Sequence, residues 1–362
     1  MAARIDLNLS HAYQANPQQD SDYALLPLEM SFRAGGAYAL LGPSGCGKTT
    51  MLNIMSGLVC PSQGSVKFDG VDVTDKSPQL RNIAQVFQFP VIYDTMTVAE
   101  NLAFPLRNRG MPENDIRKRV GQISEMLELN GQLNQRASGL TAAAKQKISL
   151  GRGLVRPDVS AILFDEPLTV IDPHLKWQLR RKLKQVHQEL QLTLIYVTHD
   201  QVEALTFAQE VVVMTRGRAV QTGSAEDLFE KPAHTFVGHF IGSPGMNFLE
   251  GKVDLQSLVI GECRIGLNPQ QANSLQGLSH IKLGIRPEYV FVEEKASANT
   301  MPAKVERVQD LGTSVLMTMH CAGQLLRARL PLTAQHFTVG SGVHVSLLGK
   351  HTCFYHNEEL VV

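Results

Sequence analysis

The sequence predicts an α/β domain built around a buried parallel sheet, followed by a domain made of β-strands. A glycine-rich loop lies between an apolar run, AYALL, and a helix-forming stretch, which is the order strand, loop, helix. Two more apolar runs, SAILFDEP and TLIYVTHD, end in charged side chains, as buried parallel strands do at the carboxyl edge of a sheet. After IGSPGMNF at 241–248 the helical pattern gives way to short β-like runs, so we place the two domains at 1–240 and 241–362.

The composition is that of a folded, water-soluble protein. The chain has 362 residues, 43% hydrophobic and 19% charged, with 34 Lys and Arg against 34 Asp and Glu. This neutral balance and the low aromatic content argue against a nucleic-acid binder. The five cysteines have no metal-ligand spacing, which indicates a reducing compartment. No stretch has the roughly 18 apolar residues of a membrane span, and the N-terminus has no signal peptide, so we expect neither a span nor export.

The most specific motif is GPSGCGKTT, which matches G-x-x-x-x-G-K-[ST]. Glycines let backbone N–H groups turn toward a phosphate, and the helix that follows directs its positive end to the same place. In such a loop the lysine reaches the β and γ oxygens and the next hydroxyl serves Mg²⁺. The alternative is a glycine-rich turn before an unrelated helix. The motif predicts that phosphate is bound by residues 42–50: Gly42, Pro43, Ser44, Gly45, Cys46, Gly47, Lys48, Thr49 and Thr50.

Reactive side chains follow the other predicted strands. At the end of SAILFDEP, Asp165 can hold Mg²⁺ and Glu166 can orient a water that attacks the γ-phosphate. His199, at the end of TLIYVTHD, can hydrogen-bond that water or the phosphate. Gln88 follows a further short apolar stretch. Taken singly, these residues also suit plainer roles: solvated loop acids, a structural histidine and a solvated glutamine.

In this order and spacing, the motifs resemble the nucleotide-binding subunit of an ABC transporter over almost the whole chain. The resemblance implies that residues 42–50 are the Walker A loop and that ILFDEP is the Walker B strand. It implies catalytic roles for Glu166 and His199, and Mg²⁺ ligation by Thr49, Gln88 and Asp165. ATP and Mg²⁺ are therefore the expected cofactors.

The same resemblance implies three further nucleotide contacts. Asp172, in LTVIDPHLK, is similar to the D-loop aspartate. Tyr13 is similar to the aromatic residue that stacks on adenine, although a polar insertion near QANPQQDSD lengthens the interval to the phosphate loop, and Tyr23 is a weaker candidate. Thr141 is similar to the signature-loop serine.

The signature loop itself departs from the family pattern. The downstream helix QKISLGRGLV aligns LTAAA, residues 140–144, with the family's LSGGQ. Thr141 keeps a hydroxyl, but Ala142 and Ala143 replace two glycines, and each β-carbon crowds an approaching phosphate by roughly 1.5 Å. A weakened loop predicts pairing with a different ATPase subunit. The alternative is that the loop still functions, because its helix N-terminal amides remain.

Two other regions complete the predicted architecture. Residues 97–155 include an amphipathic helix, with Ile116, Val120, Ile123 and Leu127 on one face, and correspond to a helical subdomain beside which a membrane subunit docks. LGIRPE, residues 283–288, resembles the C-terminal barrel of sugar, polyol and glycerol-phosphate importer ATPases. The predicted fold is an α/β P-loop NTPase domain of the ABC type with this helical subdomain, followed by an all-β OB-like (TOBE-type) barrel.

The resemblance implies an ATPase that energises solute import from the cytoplasmic face of the cell membrane. The expected partners are transmembrane permease subunits, a second ATPase subunit and, indirectly, an extracytoplasmic solute-binding protein, with no nucleic acid. The motifs look most like those of glycerol importers, with a sugar, another polyol or glycerol phosphate as alternatives. Two other functions stay open: an ATP-binding regulatory subunit with little hydrolysis, and a soluble ABC-type ATPase outside transport.

Overall fold

The computed structural model describes residues 2–169, 171–297, 299–334 and 337–362. For His174, within these ranges, it describes the backbone but not the side chain. Val170, in the LTVIDPHLK motif, lies outside the described residues. The chain divides into two units, Met1–Ala225 and Glu226–Val362. This division falls before the boundary predicted after residue 240.

A parallel sheet forms the centre of the N-terminal unit, as the apolar runs predict. The strands of this unit are β1 (Ile5–His11), β2 (Leu25–Phe32), β3 (Ala37–Leu41), β4 (Gln63–Phe68), β5 (Val71–Asp72), β6 (Ile83–Val86), β7 (Ala161–Asp165), β8 (Leu194–Thr198), β9 (Glu210–Thr215) and β10 (Arg218–Gly223). The strand order of the parallel sheet is β10-β9-β3-β8-β7-β6, and every neighbouring pair is parallel except the edge pair β10 and β9. A smaller antiparallel sheet, in the order β2-β1-β4-β5, was not predicted.

Helices connect these strands and supply the predicted helical segment. Ile116, Val120 and Ile123 are buried along one face of the helix Glu113–Met126, as their spacing predicts. The helices are α1 (Lys48–Ser56), α2 (Pro78–Arg81), α3 (Val98–Arg107), α4 (Glu113–Met126), α5 (Ala142–Leu154), α6 (Pro173–Leu190) and α7 (Gln201–Phe207), with 3₁₀ turns at 20–22, 130–132 and 137–139.

The central strands are apolar throughout because each faces a separate core on either side. Ile162 and Phe164 of β7 belong to the core that α3 to α6 cover. Ala161 and Leu163, which alternate with them, belong to the core beneath α1 and the smaller sheet. Alternating side chains point to opposite faces of a strand, so a strand covered on both sides has no polar face.

The C-terminal unit consists mainly of two antiparallel sheets over one core. The strands are β11 (Asn247–Asp254), β12 (Ser257–Ile260), β13 (Cys263–Gly266), β14 (Ile281–Ile285), β15 (Phe291–Glu293), β16 (Thr300–Asp310), β17 (Val315–Cys321), β18 (Gln324–Leu330), β19 (Gly342–Ser346), β20 (Cys353–His356) and β21 (Glu359–Leu360). The first sheet has the order β13-β12-β11-β14-β20-β21 and the second β15-β19-β16-β17-β18. Leu249, Leu283 and Phe354 from the first sheet meet Val305 and Met317 from the second in one buried cluster.

Helices accompany these strands, and one of them was missed in the sequence. The helix α10 begins after Asn268, whose side chain accepts from the Gln271 amide at 2.8 Å while the Gln271 side chain accepts from the Asn268 amide at 3.1 Å. This reciprocal cap, followed by Pro269, is a helix-start signal that the stretch NPQQ carries. The helices are α8 (Ala225–Glu230), α9 (Thr235–Phe240) and α10 (Pro269–Leu275), with 3₁₀ turns at 287–289 and 332–334.

A buried arginine explains why residues 226–240 belong to the C-terminal unit. Arg286, only 1% exposed, donates to the carbonyl oxygens of Phe229 at 2.9 Å, Gly238 at 2.9 Å and Leu228 at 3.3 Å, and also to that of Ile241. Burial lowers the pKa of its guanidinium. Since a buried cation needs this many acceptors, α8 and α9 stay attached to the chain just after β14, where Arg286 lies.

Arg286→Leu should release this segment. Removing the guanidinium takes one hydrogen-bond donor from each of four carbonyls and leaves Gly238 with the Met246 amide as its donor, so we expect local stability to fall by about 3 kcal/mol. Backbone amides of residues 226–241 should then exchange with deuterium on the order of a hundredfold faster. The matched control is Arg264→Leu, because Arg264 makes an exposed ion pair with Asp254. Exchange at the wild-type rate in Arg286→Leu would show that the guanidinium does not hold the segment.

Candidate functional site

The glycine loop is built between β3 and α1, in the predicted order. Its last glycine, Gly47, has a φ of 101° at the N-cap of α1. A β-carbon there would lie 2.4 Å from the Ala24 carbonyl oxygen, so only glycine fits. A β-carbon on Gly45, by contrast, would meet no atom within 4 Å. The loop is therefore closed against the protein at its end and open to solvent at its middle.

Lys48 reaches back with its side chain to the first two residues of this loop. Its side chain is buried, and its Nζ donates to the carbonyl oxygens of Gly42 at 2.8 Å and Pro43 at 2.9 Å. The Cys46 Sγ lies 3.8 Å from the same nitrogen. The amine therefore donates to neutral carbonyls, and its positive charge opposes the rise in pKa that burial causes at the Asp165 carboxyl. An open cradle lies beside the amine, and a phosphate bound there would bring negative charge to it.

A carboxylate from β7 meets the first turn of α1. The Oδ1 of Asp165 accepts a hydrogen bond of 3.2 Å from the Thr49 hydroxyl. Burial raises the pKa of Asp165, an effect that the Thr49 hydrogen bond opposes and the neighbouring Glu166 charge increases. Oxygen donors from a hydroxyl and a carboxylate are what Mg²⁺ prefers, so this pair fits the predicted metal site.

Glu166 and His199 face each other at the ends of neighbouring strands. The Glu166 Oε2 lies 3.1 Å from His199 Nδ1 and accepts a hydrogen bond of 3.2 Å from the Thr169 hydroxyl. The Glu166 amide donates to the Val197 carbonyl at 3.0 Å, although its φ of 46° is unusual for a non-glycine residue. Thr169 was missed in the sequence, where its only signal is its place three residues after Glu166.

Tyr13 lies near the loop, at the end of the first strand. Its hydroxyl is 3.2 Å from the Thr50 hydroxyl, and its side chain is 68% exposed. The ring packs edge-on against His11, with centroids 4.6 Å apart. The exposed position beside the glycine loop suits stacking on a base.

The remaining predicted residues are distributed over three elements. Gln88 is half-buried in the bend after β6, at the same sheet edge as Asp165, because Val86 pairs with Phe164 in the parallel ladder. Thr141 is the N-cap of α5, where its side chain accepts from the Ala144 amide at 3.3 Å. Asp172 is exposed immediately before α6. Among the described residues, no group of three or more His, Cys, Asp or Glu side chains is arranged to hold a metal.

Comparison with known proteins identifies the family. The family model described as ABC transporter matches residues 25–169, which include the glycine loop and the β7 carboxylates. The sn-glycerol-3-phosphate import ATP-binding protein of Psychromonas ingrahamii is 37% identical over 318 residues, covering 87% of this chain and 83% of that protein. The chain belongs to the import ATP-binding proteins of ABC transporters. It is therefore an ABC ATPase for solute import, as predicted.

Further comparisons agree with this assignment for both units of the ABC ATPase. The trehalose/maltose import ATP-binding protein of Thermococcus litoralis is 39% identical, over 83% of this chain and 85% of that protein. Family models described as MalK OB fold domain and TOBE domain match residues 242–290 and 283–354, which confirms the predicted class of the C-terminal fold.

The solved structure of cbiO1 from Clostridium perfringens, part of an ABC transporter complex, has a TM-score of 0.57 and 25% identity to this ABC ATPase. The match covers 63% of this chain and 90% of that one. No helix in the described part of the chain is long and apolar enough to cross a membrane.

Asp165→Asn should stabilise the nucleotide-free protein. A carboxyl whose folded pKa is raised destabilises the folded state when ionised. At pH 7 the asparagine variant should therefore gain about 1 kcal/mol in the free energy of unfolding. As pH falls through the raised pKa of Asp165, wild type takes up a proton and the difference should shrink. Urea unfolding of both proteins over this pH range measures the difference in their free energies of unfolding.

Asp75→Asn, which neutralises an exposed acid, is the matched control and should change stability little at any pH. A variant that is less stable than wild type at pH 7, or a difference that grows on acidification, would contradict the argument for Asp165.

Proposed function

We propose that this chain hydrolyses ATP to drive import of a small polar solute and does so in a heteromeric ATPase pair. The observation that carries the proposal is the convergence of Lys48, Asp165, Glu166 and His199 on one sheet edge. Because Glu166 and His199 lie in contact, we favour a subunit that hydrolyses ATP over one that only binds it.

Each residue has a distinct proposed role. The loop amides and Lys48 bind the phosphates, and Thr49, Asp165 and Gln88 would hold Mg²⁺, which when bound supplies positive charge to the phosphate oxygens. Glu166 accepts the hydrogen bond of the attacking water, and His199 keeps that carboxylate oriented through their 3.1 Å contact.

The proposed heteromeric pairing rests on the first turn of α5. In the family, two ATPase subunits close head to tail and each signature loop contacts the nucleotide on the other. Here Ala142 and Ala143 begin α5, and Ala142 is exposed where a partner's phosphate would approach. Because a β-carbon stands in that approach, two copies of this chain would form two weakened sites. A different subunit with an intact signature would complete the site on Lys48 and Glu166.

An exposed apolar segment supports a permease partner at the cytoplasmic face of the membrane. After β6, the side chains of Phe87, Phe89, Val91 and Tyr93 are 39%, 67%, 55% and 40% exposed. Apolar side chains this close in sequence are an interaction surface more often than bare exterior. They flank Gln88, so a permease bound there would contact the segment that reaches the carboxylate edge.

The proposed solute is a sugar, a polyol such as glycerol, or glycerol phosphate. Support comes from the relatives, whose names specify sn-glycerol 3-phosphate and trehalose or maltose. These compounds share several hydroxyl groups and small size. The solute itself would contact the permease and an extracytoplasmic binding protein, since every proposed role in this chain concerns the nucleotide or a partner.

Native mass spectrometry of the complex purified from its source cells tests the pairing. We expect one copy of this chain, one copy of a second ATPase and the permease subunits, because the alanine signature favours a partner with glycines. The result that contradicts this pairing is a complex that contains two copies of this chain and no other ATPase.

ATPase rates of the same complex identify the working site. Glu166→Gln should reduce turnover by on the order of a hundredfold or more, because the carboxylate that orients the water is lost. Ala142→Gly with Ala143→Gly should change turnover less than about twofold if this signature faces a quiet site. The exposed Glu189→Gln is the charge control.

Other outcomes have definite meanings. A rise of several-fold in the double glycine variant would mean that the alanines restrain the partner's site. Turnover that survives Glu166→Gln would show that this chain is the regulatory half of the pair, and it would contradict the proposed catalytic role.

A further inference from the structure

A buried carboxylate lies directly behind the proposed catalytic histidine. Glu203, in the first turn of α7, is only 3% exposed. Its Oε2 accepts hydrogen bonds from the Thr198 hydroxyl at 2.8 Å and from the Tyr196 hydroxyl at 3.0 Å. Its other oxygen, Oε1, lies 3.7 Å from the Lys176 Nζ. None of the roles proposed above uses this group.

The arrangement is costly for a group with only a structural role. Burying a carboxylate costs several kcal/mol unless ion pairing and hydrogen bonds compensate, and a hydrophobic side chain of similar volume is often as stable or more so. Here the ion pair is long, at 3.7 Å, while two hydroxyls donate directly to the carboxylate. Burial, and then the negative charge of Glu203, raise the pKa of Tyr196, so its phenol remains a hydrogen-bond donor.

Both neighbours of His199 in the chain depend on this carboxylate. Thr198 donates its hydroxyl hydrogen to Glu203 and accepts, through the same oxygen, the Asp200 backbone N–H at 3.0 Å. Asp200 in turn caps α7, accepting the amides of Val202 at 2.8 Å and Glu203 at 3.2 Å. The chain on either side of His199 is thus closed into one ring of hydrogen bonds through Glu203.

A second anchor fixes the position of this ring. Lys176 belongs to the first turn of α6, and Lys184 on the same helix donates to the Thr206 carbonyl of α7 at 3.1 Å. Glu203 is therefore held between β8, α6 and α7. His199, whose own side chain is 54% exposed, has no comparable burial to fix it.

We propose that Glu203 is a positioning residue that holds His199 at hydrogen-bond distance from Glu166. The inference rests on the proposed roles of His199 and Glu166. Glu203 is buried away from solvent, and it acts through Thr198 and the Asp200 amide. Loss of the carboxylate lets the His199 segment shift, and a shift of about 1 Å in a positioned group is enough to lower turnover substantially.

The test uses steady-state ATPase kinetics of the whole transporter complex. Glu203→Leu should lower kcat by about tenfold and leave the KM for ATP within about twofold, because binding uses the glycine loop and not this network. Glu203→Gln, which keeps an oxygen acceptor for Thr198 and Tyr196, should retain turnover within about threefold of wild type. Thr198→Val breaks the link to Asp200 without changing α7, and it should reproduce the kcat loss even if the leucine variant folds poorly.

Combination with His199→Ala separates positioning from a general structural role. If Glu203 acts through His199, Thr198→Val should cause no further kcat loss in a His199→Ala complex. The same loss in both backgrounds, or wild-type kcat in Thr198→Val, would overturn the inference while leaving the role of His199 intact. Wild-type kcat in His199→Ala alone would instead overturn the proposed role of His199, and the positioning role of Glu203 with it.

Discussion

The parallel register of three adjacent strands is the constraint on which the site depends. Because β3, β8 and β7 run side by side in one direction, the residues that follow each of them emerge at the same edge. The ladder continues one step beyond β7, where the Glu166 amide donates to Val197 at 3.0 Å. That bond places the two reactive side chains, Glu166 and His199, beside each other although 33 residues separate them in the chain.

The site edge was predictable because its strands leave no ambiguity in the sequence. AYALL, AILF and LIYV lack charged residues, which is typical of strands covered on both faces. AYALL is followed by the glycine loop, AILF by Asp165 and Glu166, and LIYV by Thr198 and His199. The small antiparallel sheet was not predictable in this way, since strand β2, LLPLEMSF, alternates between buried and exposed positions and contains a proline. Glu203 was hidden for a different reason. A glutamate in a helix normally faces water, and its burial follows only from the hydroxyls that meet it in the fold.

The two alanines of the altered signature do not destabilise the helix that carries them. Alanine in the first turn of α5 favours the helix by up to about 1 kcal/mol per residue over glycine, and Thr141 caps the same turn. Any penalty must therefore arise where another subunit's phosphate approaches. The residues that would accept a partner's signature, Lys48 and Glu166, are by contrast in place. The proposed pairing with an unlike ATPase subunit follows from this combination of an acceptor site with its residues in place and a donor loop that carries alanines.

Two buried charged residues, Arg286 and Glu203, differ in what they hold in place. Within the described residues, the hydrogen bonds of Arg286 go to backbone carbonyls, so it fixes the course of the chain whatever side chains that segment carries. Glu203 binds two hydroxyl side chains, and one of them, Thr198, directly precedes a reactive histidine. A buried side chain that binds the backbone is needed for folding, and its removal should appear as local unfolding. A buried side chain that binds the neighbour of a proposed catalytic residue sets the orientation of that residue. Removal of the buried side chain should therefore lower turnover before it lowers stability.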